Sequence, residues 1–284
     1  MAEGPLCRFG VDKKTNMLYG NIHHSIADGR SLQILFEAIA AGEVKNETSD
    51  WSVRKYAASE ALPEVVDEQQ EMVKSFVEML GDTPPRLEVD FAVPDSYHTS
   101  SIILSSDIRA ALEAYCRKEN ISLFSLALGV MHQAIRAYSH EAFAIGTAYD
   151  SRPSQFHDTI DMFVNTVLVP FAKGAEGGKE TLKELNDRWR NNILPLATVP
   201  FDMVSSAGYG CNLYLAFNVG IMEASHTAPK MEEENIDVTR AKFDLTVAWM
   251  ECSSADGSVE VSFESGIGPW LALKIGSTKS SVRS

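Results

Sequence analysis

The sequence lacks any uninterrupted apolar run of the length needed to cross a bilayer, and its opening, MAEGPLCRFGVDKK, has no apolar signal-peptide core. Cysteine is sparse: Cys7, Cys116, Cys211 and Cys252 are scattered with no CxxC spacing. That argues against a zinc site or a disulfide framework and suits a reducing, cytoplasmic setting. Positive charge is also short, with 25 Lys+Arg against 39 Asp+Glu and a net charge of −14. So acidic a surface repels phosphate backbones and anionic headgroups, which argues against nucleic-acid or membrane-surface partners. What is present is ordinary for a folded protein: 45% hydrophobic and 23% charged residues over 284 positions exclude wholesale disorder. The length suits one large domain or two lobes.

Hydrophobic spacing divides the chain. Leu6–Gly10 and Met17–Ile22 read as two strands around a polar turn, followed directly by His23-His24-Ser-Ile-Ala-Asp28-Gly29. From Ser31 the spacing becomes helical, with Leu32, Leu35 and Ile39 on one face until Gly42. A polar loop over 43–59, with room for a short helix, precedes an amphipathic helix over Glu64–Leu80. Gly81-Asp-Thr-Pro-Pro85 ends that helix, and the extended stretch to Pro94-Asp95 reads as a connection. The predicted division is therefore 1–94 and 95–284. Beyond it, strands are expected at Ser101–Leu104, Phe143–Ala148, Met162–Val169 and Asn212–Val219. Helices are expected at Asp107–Glu119, Leu123–Tyr138 and Glu180–Asn192, and a late hairpin joins Phe243–Cys252 to Ser258–Phe263. The fold class is mixed α/β.

The pointed feature is His23-His24-x-x-x-Asp28-Gly29, placed where a strand gives way to a helix. A histidine exchanges a proton near neutral pH, as general acid–base chemistry on an amine or hydroxyl requires. Adjacent histidines point in different directions, so at most one of the two is expected to face a reactant. An aspartate four residues on can anchor the loop, and Gly29 permits a tight turn or close backbone approach. A purely structural histidine pair at a strand end is the plain alternative. A metal site is another, although no third ligand sits at a recognisable spacing and the pattern is not HExxH.

HHxxxDG resembles the signature of condensation domains of nonribosomal peptide synthetases, in the chloramphenicol-acetyltransferase-like superfamily. Other stretches match in order: Phe76–Pro85 resembles the helix and proline connection before the second lobe, and Ser122–Val130 the buried helix. Gly146–Pro153 with Ile160–Thr166 resembles the arginine-bearing loop and FVNT strand, Val199–Val204 the PFxxxV segment, and Phe243-Asp244-Leu245 the FDL of the late hairpin. The resemblance implies a two-lobed fold, and an enzyme that forms an amide when a carrier-bound amine attacks a carrier-bound acyl thioester. It implies that His24, at the centre of a tunnel, positions or deprotonates the amine and that Gly29 offers a backbone amide to the thioester carbonyl. By the same resemblance His23 supports, Asp28 pairs with Arg152 across the lobes, and Asn165 helps shape the site; a sheet hydrogen-bonding role for Asn165 stands beside that. No metal, nucleotide or redox cofactor is implied, because phosphopantetheine arrives on acyl- and peptidyl-carrier proteins as part of the substrates.

Relatives in the superfamily fit less well. Gly266-Ile-Gly-Pro-Trp270 does not match the DFGWG of plant-type CoA acyltransferases, and Arg30-Ser-Leu32 stands where epimerase-type relatives carry a tryptophan. Gly177-Gly-Lys-Glu-Thr181 is similar to a phosphate loop but lacks its first glycine and its hydroxyl residue, so it reads as a turn. Condensation domains place most of the first lobe before the histidine motif, whereas here one hairpin precedes it. The expectation is a first lobe truncated to its C-terminal part, with the absent portion and adjacent synthetase domains as candidate partners. A non-catalytic binding module and a free-standing acyltransferase acting on an alcohol or amine are the alternative functions.

Overall fold

A computed structural model describes residues 5–14, 17–42, 53–88, 97–174, 180–219, 241–252 and 256–265. The stretch around Pro94-Asp95, most of the polar loop, the phosphate-loop look-alike at 177–179 and the C-terminal tail lie outside the described residues. The described residues of Met1–Glu68 and Asp150–Val164 form one compact unit, and those of Gln69–Tyr149, Asn165–Glu223 and Glu233–Ser284 form the other.

In the first unit, β1 (Cys7–Asp12) and β2 (Met17–Ile22) pair antiparallel as a two-stranded sheet, with Cys7 opposite Ile22. Leu6, Phe9, Val11, Leu18 and Tyr19 are exposed on this hairpin. A single 3₁₀ turn at His24–Ile26 then leads into α1 (Gly29–Ala41), which ends where Gly42 takes a left-handed φ of 65°. That conformation is cheap only without a Cβ. The short α2 (Val53–Glu60) follows, and α3 (Pro63–Leu80) ends with Phe76 and Leu80 buried in the core of the second unit.

The second unit is built on a mixed six-stranded sheet. Its strands are β3 (His98–Leu104), β4 (Phe143–Asp150), β5 (Val164–Phe171), β6 (Leu213–Asn218), β7 (Leu245–Glu251) and β8 (Val259–Ser265), in spatial order β3-β8-β7-β6-β4-β5. Leu213 lies opposite Ile145 and Leu245 in parallel ladders, while β7–β8 and β8–β3 are antiparallel. Strict alternation in β3 marks a strand with one covered face, whereas Phe143–Thr147 of β4 are buried without interruption. Among the helices, α5 (Leu123–Arg136) packs Leu128, Met131 and Ile135 into this core and α4 (Ser106–Glu119) covers a smaller cluster around Cys116. Three helix starts share one local device: the side chains of Ser105, Ser122 and Thr181 each accept the amide three residues on.

Three elements depart from the periodicity. The helix expected over Glu180–Asn192 is α-helical only as α6 (Leu182–Arg188), then widens into a π turn at Trp189–Ile193. Pro195, just beyond, lacks the N–H that an α-helical ladder would use. Phe201–Ser206 forms α7, which the spacing did not reveal. The strand expected from Met162 starts at Val164, because the Phe163 amide and carbonyl are engaged elsewhere, by Asp28 and Ser151.

His132 on α5 is buried and stacks on Phe171, ring centroids 4.2 Å apart at 12°. Burial, reinforced by Arg136, pushes its imidazole down to about 4. The neutral ring is thus the folded form, and the unfolded chain takes up the proton first as pH falls below about 6.5. Stability is expected to fall between about pH 6.5 and pH 4, by on the order of 2–3 kcal/mol, and to show no further loss from this group below that. Urea unfolding of wild type and His132→Phe at pH 7 and pH 4.5 checks this: the variant should show a visibly smaller drop.

Candidate active site

The local sequence builds the site from a helix start. Asp28 is the N-cap of α1, and its Oδ1 accepts the Ser31 amide at 2.8 Å. Capping directs the carboxylate back along the chain, and there it is 1% exposed. An ionised group so placed needs compensation. Arg152 supplies it, its side chain 3% exposed, with Nη2 donating to Oδ1 at 2.8 Å and Oδ2 at 2.9 Å. The Phe163 amide donates to Oδ2 at 2.9 Å and the Ser31 hydroxyl sits 2.8 Å from Oδ1. Burial alone would raise the Asp28 carboxyl, but the Phe163 and Ser31 amides, the Ser31 hydroxyl and the Arg152 charge outweigh it. The group is held below the usual carboxylate range.

Arg152 is itself fixed on three sides. Its Nη1 donates to the carbonyls of Phe156 and Thr159, and its guanidinium lies 4.2 Å from the centroid of the Phe163 ring. Tyr56 packs its ring 5.2 Å from both Phe156 and Phe163. Ser31 Oγ also contacts the Asp161 carbonyl at 2.6 Å and accepts the Asp161 amide at 3.0 Å, which closes the loop 150–164 onto α1.

The two histidines, exposed on the turn ahead of this knot, are held differently. His24 Nδ1 lies 2.8 Å from the Ala27 carbonyl. A carbonyl only accepts, so Nδ1 carries the hydrogen and Nε2 of the neutral ring has its lone pair free of that bond. His23 Nδ1 accepts the Ser25 amide at 3.1 Å, so its neutral ring carries the hydrogen on Nε2. Neighbouring histidines therefore adopt opposite tautomers, and His24 is the one presenting a base at Nε2. Gly29 opens α1, where an N–H has no acceptor within the helix. Among the described residues a Cβ there would meet nothing within 4 Å, so their packing does not require the glycine.

The first unit thus gathers His23, His24, Asp28, Gly29 and Arg152, and the Asp28–Arg152 pair forms inside that unit. Asn165 belongs to the second unit. There its amide donates to the carbonyls of Ala197 at 2.8 Å and Val199 at 2.7 Å, and its oxygen accepts the Phe201 amide at 3.1 Å. Sequence reasoning missed Ser31, although an aspartate with a serine three residues on, at a helix start, is a legible capping pattern. It also missed the Phe163 ring beneath Arg152, which no local pattern announces. Among the described residues no cluster of three or more His, Cys, Asp or Glu side chains could hold a metal, and no helix is long and apolar enough to span a membrane.

Comparison with known proteins gives the family. The family described as "Condensation domain" matches residues 1–265, and the chain belongs to that family. It is 27% identical over 219 residues to the nonribosomal peptide synthetase kk1B of Curvularia clavata, covering 71% of this chain and 2% of that protein. It is 24% identical over 285 residues to a linear gramicidin synthase of Brevibacillus parabrevis, covering 89% of this chain and 5% of that one. The chain thus spans a small fraction of the length of these relatives. In fold it is similar to the X-domain from teicoplanin biosynthesis, with TM-score 0.73, 16% identity and coverage of 93% of this chain and 67% of that one. The condensation domain of the Monacolin K polyketide synthase MokA gives TM-score 0.71, 14% identity and coverage of 89% and 65%. The expected mixed α/β, condensation-type fold is the fold observed.

Removing Arg152 leaves an uncompensated buried carboxylate. Arg152→Met is expected to cost about 3–5 kcal/mol of unfolding free energy at pH 7. Adding Asp28→Asn should recover part of that loss, because the orphaned charge goes with it. Urea denaturation of the two variants measures both numbers.

Proposed function

We propose that the chain carries out the condensation step of nonribosomal peptide synthesis, with His24 handling the proton. The amine of a carrier-bound acceptor attacks the carbonyl carbon of a carrier-bound acyl or peptidyl thioester. The C–N bond forms, the carbonyl oxygen gathers negative charge, and the C–S bond then breaks to release a thiol. His24 Nε2 takes the proton lost by the amine and returns it to the departing sulfur. The observation that carries this reading is the Nδ1–H bond from His24 to the Ala27 carbonyl, which fixes the base-competent tautomer on the reactive side of the ring. Gly29 opens the helix with an N–H that no acceptor within the helix takes, and among the described residues nothing lies within 4 Å of where a Cβ would stand there; both support that N–H approaching the developing oxyanion. The Asp28–Arg152 pair acts through the loop, as a positioning element. Asn165 acts likewise, by bracketing the segment 197–201. A thioester is already activated, so positioning and proton transfer suffice; phosphopantetheine comes with the carriers, and the reaction calls on no cofactor or metal of the chain's own.

The test is to supply the full chain with acyl-loaded and aminoacyl-loaded carrier proteins and follow condensed product by mass spectrometry. Wild type should turn over, and His24→Ala, folded by circular dichroism, should lose about 10²–10⁴-fold in rate. Equal rates for the two proteins defeat the assignment. No turnover by intact wild type favours a binding module, a reading to which the X-domain solved as a complex with OxyB lends support. Product from free acyl-CoA and a small alcohol favours a free-standing acyltransferase. Gly29→Ala separates folding from catalysis. Alanine at this helix start should leave stability unchanged or raise it by up to about 1 kcal/mol. The rate should fall if a substrate carbonyl approaches that amide.

A further inference from the structure

The second unit holds a cavity of about 510 Å³ whose wall includes Thr166, Phe201, Tyr209, Cys211, Lys242 and Phe243. Its size falls within the roughly 300–1,000 Å³ typical of small-molecule sites. Its lining combines three aromatic residues with hydroxyl groups, a thiol and one cationic residue. Among the described residues of that lining Lys242 carries the one charged side chain, and its Nζ stands 5.4 Å from the Phe243 ring centroid. The nearest carboxylate in sequence, Asp244, is already engaged by Arg86 Nη2 at 2.7 Å and by the Asn212 amide at 2.7 Å.

The walls are held rather than loose. The Phe243 ring stacks on Tyr214, centroids 4.5 Å apart at 7°. Phe201 is pinned through its amide by Asn165, and the Tyr209 hydroxyl donates to the Gly81 carbonyl at 2.8 Å. A Cβ at Gly146 would come within 2.4 Å of Cys211 Sγ, so the glycine is what lets Cys211 sit in place. Burial pushes the Cys211 thiol up to about 11, which keeps it neutral and leaves Lys242 to set the sign of the cavity.

We propose that this cavity binds a small ligand with a planar aromatic body and one carboxylate. The rings of Phe201, Tyr209 and Phe243 cover the body, and Lys242 pairs with the anion.

Calorimetric titration of the full chain with indole-3-acetate and its neutral analogue indole-3-acetamide tests this without any turnover. The acid should bind saturably and more tightly than the amide. Lys242→Met should weaken the acid by about tenfold, the range of a charge-assisted hydrogen bond, and leave the amide unchanged. Ser205→Trp, which fills the cavity from its exposed lining, should abolish both. The proposal is overturned by no saturable heat up to about 5 mM acid, a concentration at which even a weak site of millimolar Kd is largely occupied. Equal affinity of Lys242→Met and wild type for the acid overturns it as well.

Discussion

The first unit depends on an ion pair that water does not reach. Asp28 and Arg152 are withdrawn from solvent together, and neither would be tolerable there alone. Desolvation makes the pair a poor source of net stability, whereas losing either partner alone is costly. A carboxylate that must receive Arg152, the Phe163 amide and Ser31 at once admits few alternative loop geometries. The charge is balanced, each carboxylate oxygen has donors, and the guanidinium plane has an aromatic face beneath it. The same residue that starts α1 therefore also fixes the end of the histidine turn, four residues from His24.

That economy explains how two identical side chains side by side acquire different properties. His23 caps a single 3₁₀ turn and spends its Nδ1 lone pair on the Ser25 amide; His24 begins the turn and directs Nδ1–H to Ala27. The chemistry lies in backbone groups, which offer an acceptor to one ring and a donor to the other. Asn165 works on the same principle in the second unit, its carboxamide replacing three backbone partners for the irregular segment 197–201.

Much of the architecture was legible because it rests on local rules. A turn signal at Asp256-Gly257 located β7 and β8, caps at Ser105 and Ser122 located α4 and α5 within a residue or two, and the strand expected at Ser101–Leu104 is the latter part of β3. The ends were less legible: β5 begins after Phe163 because the backbone of that residue serves Asp28, and α6 gives way to a π turn ahead of Pro195. In the site, the motif named His24, Asp28 and Gly29, and resemblance brought in Arg152. The tautomers rest on bonds to backbone groups two and three residues away, the ring under Arg152 on a contact within one loop, and the Ser31 hydroxyl bridge on a carbonyl 130 positions along; side-chain direction decides each, and residue spacing does not record it.

The loop Asp150–Val164 leaves the sheet between β4 and β5 and belongs to the first compact unit, so Arg152 meets a carboxylate 124 positions earlier in the chain. This has a consequence for recombination between related chains. A crossover anywhere between α1 and β4 hands Asp28 and Ser31 an arginine loop from a different parent. Such chimaeras inherit a working knot only when the second parent also supplies an arginine and a backbone amide at the same places. The two segments behave as a linked pair of alleles within one gene, and the natural unit of exchange is discontinuous.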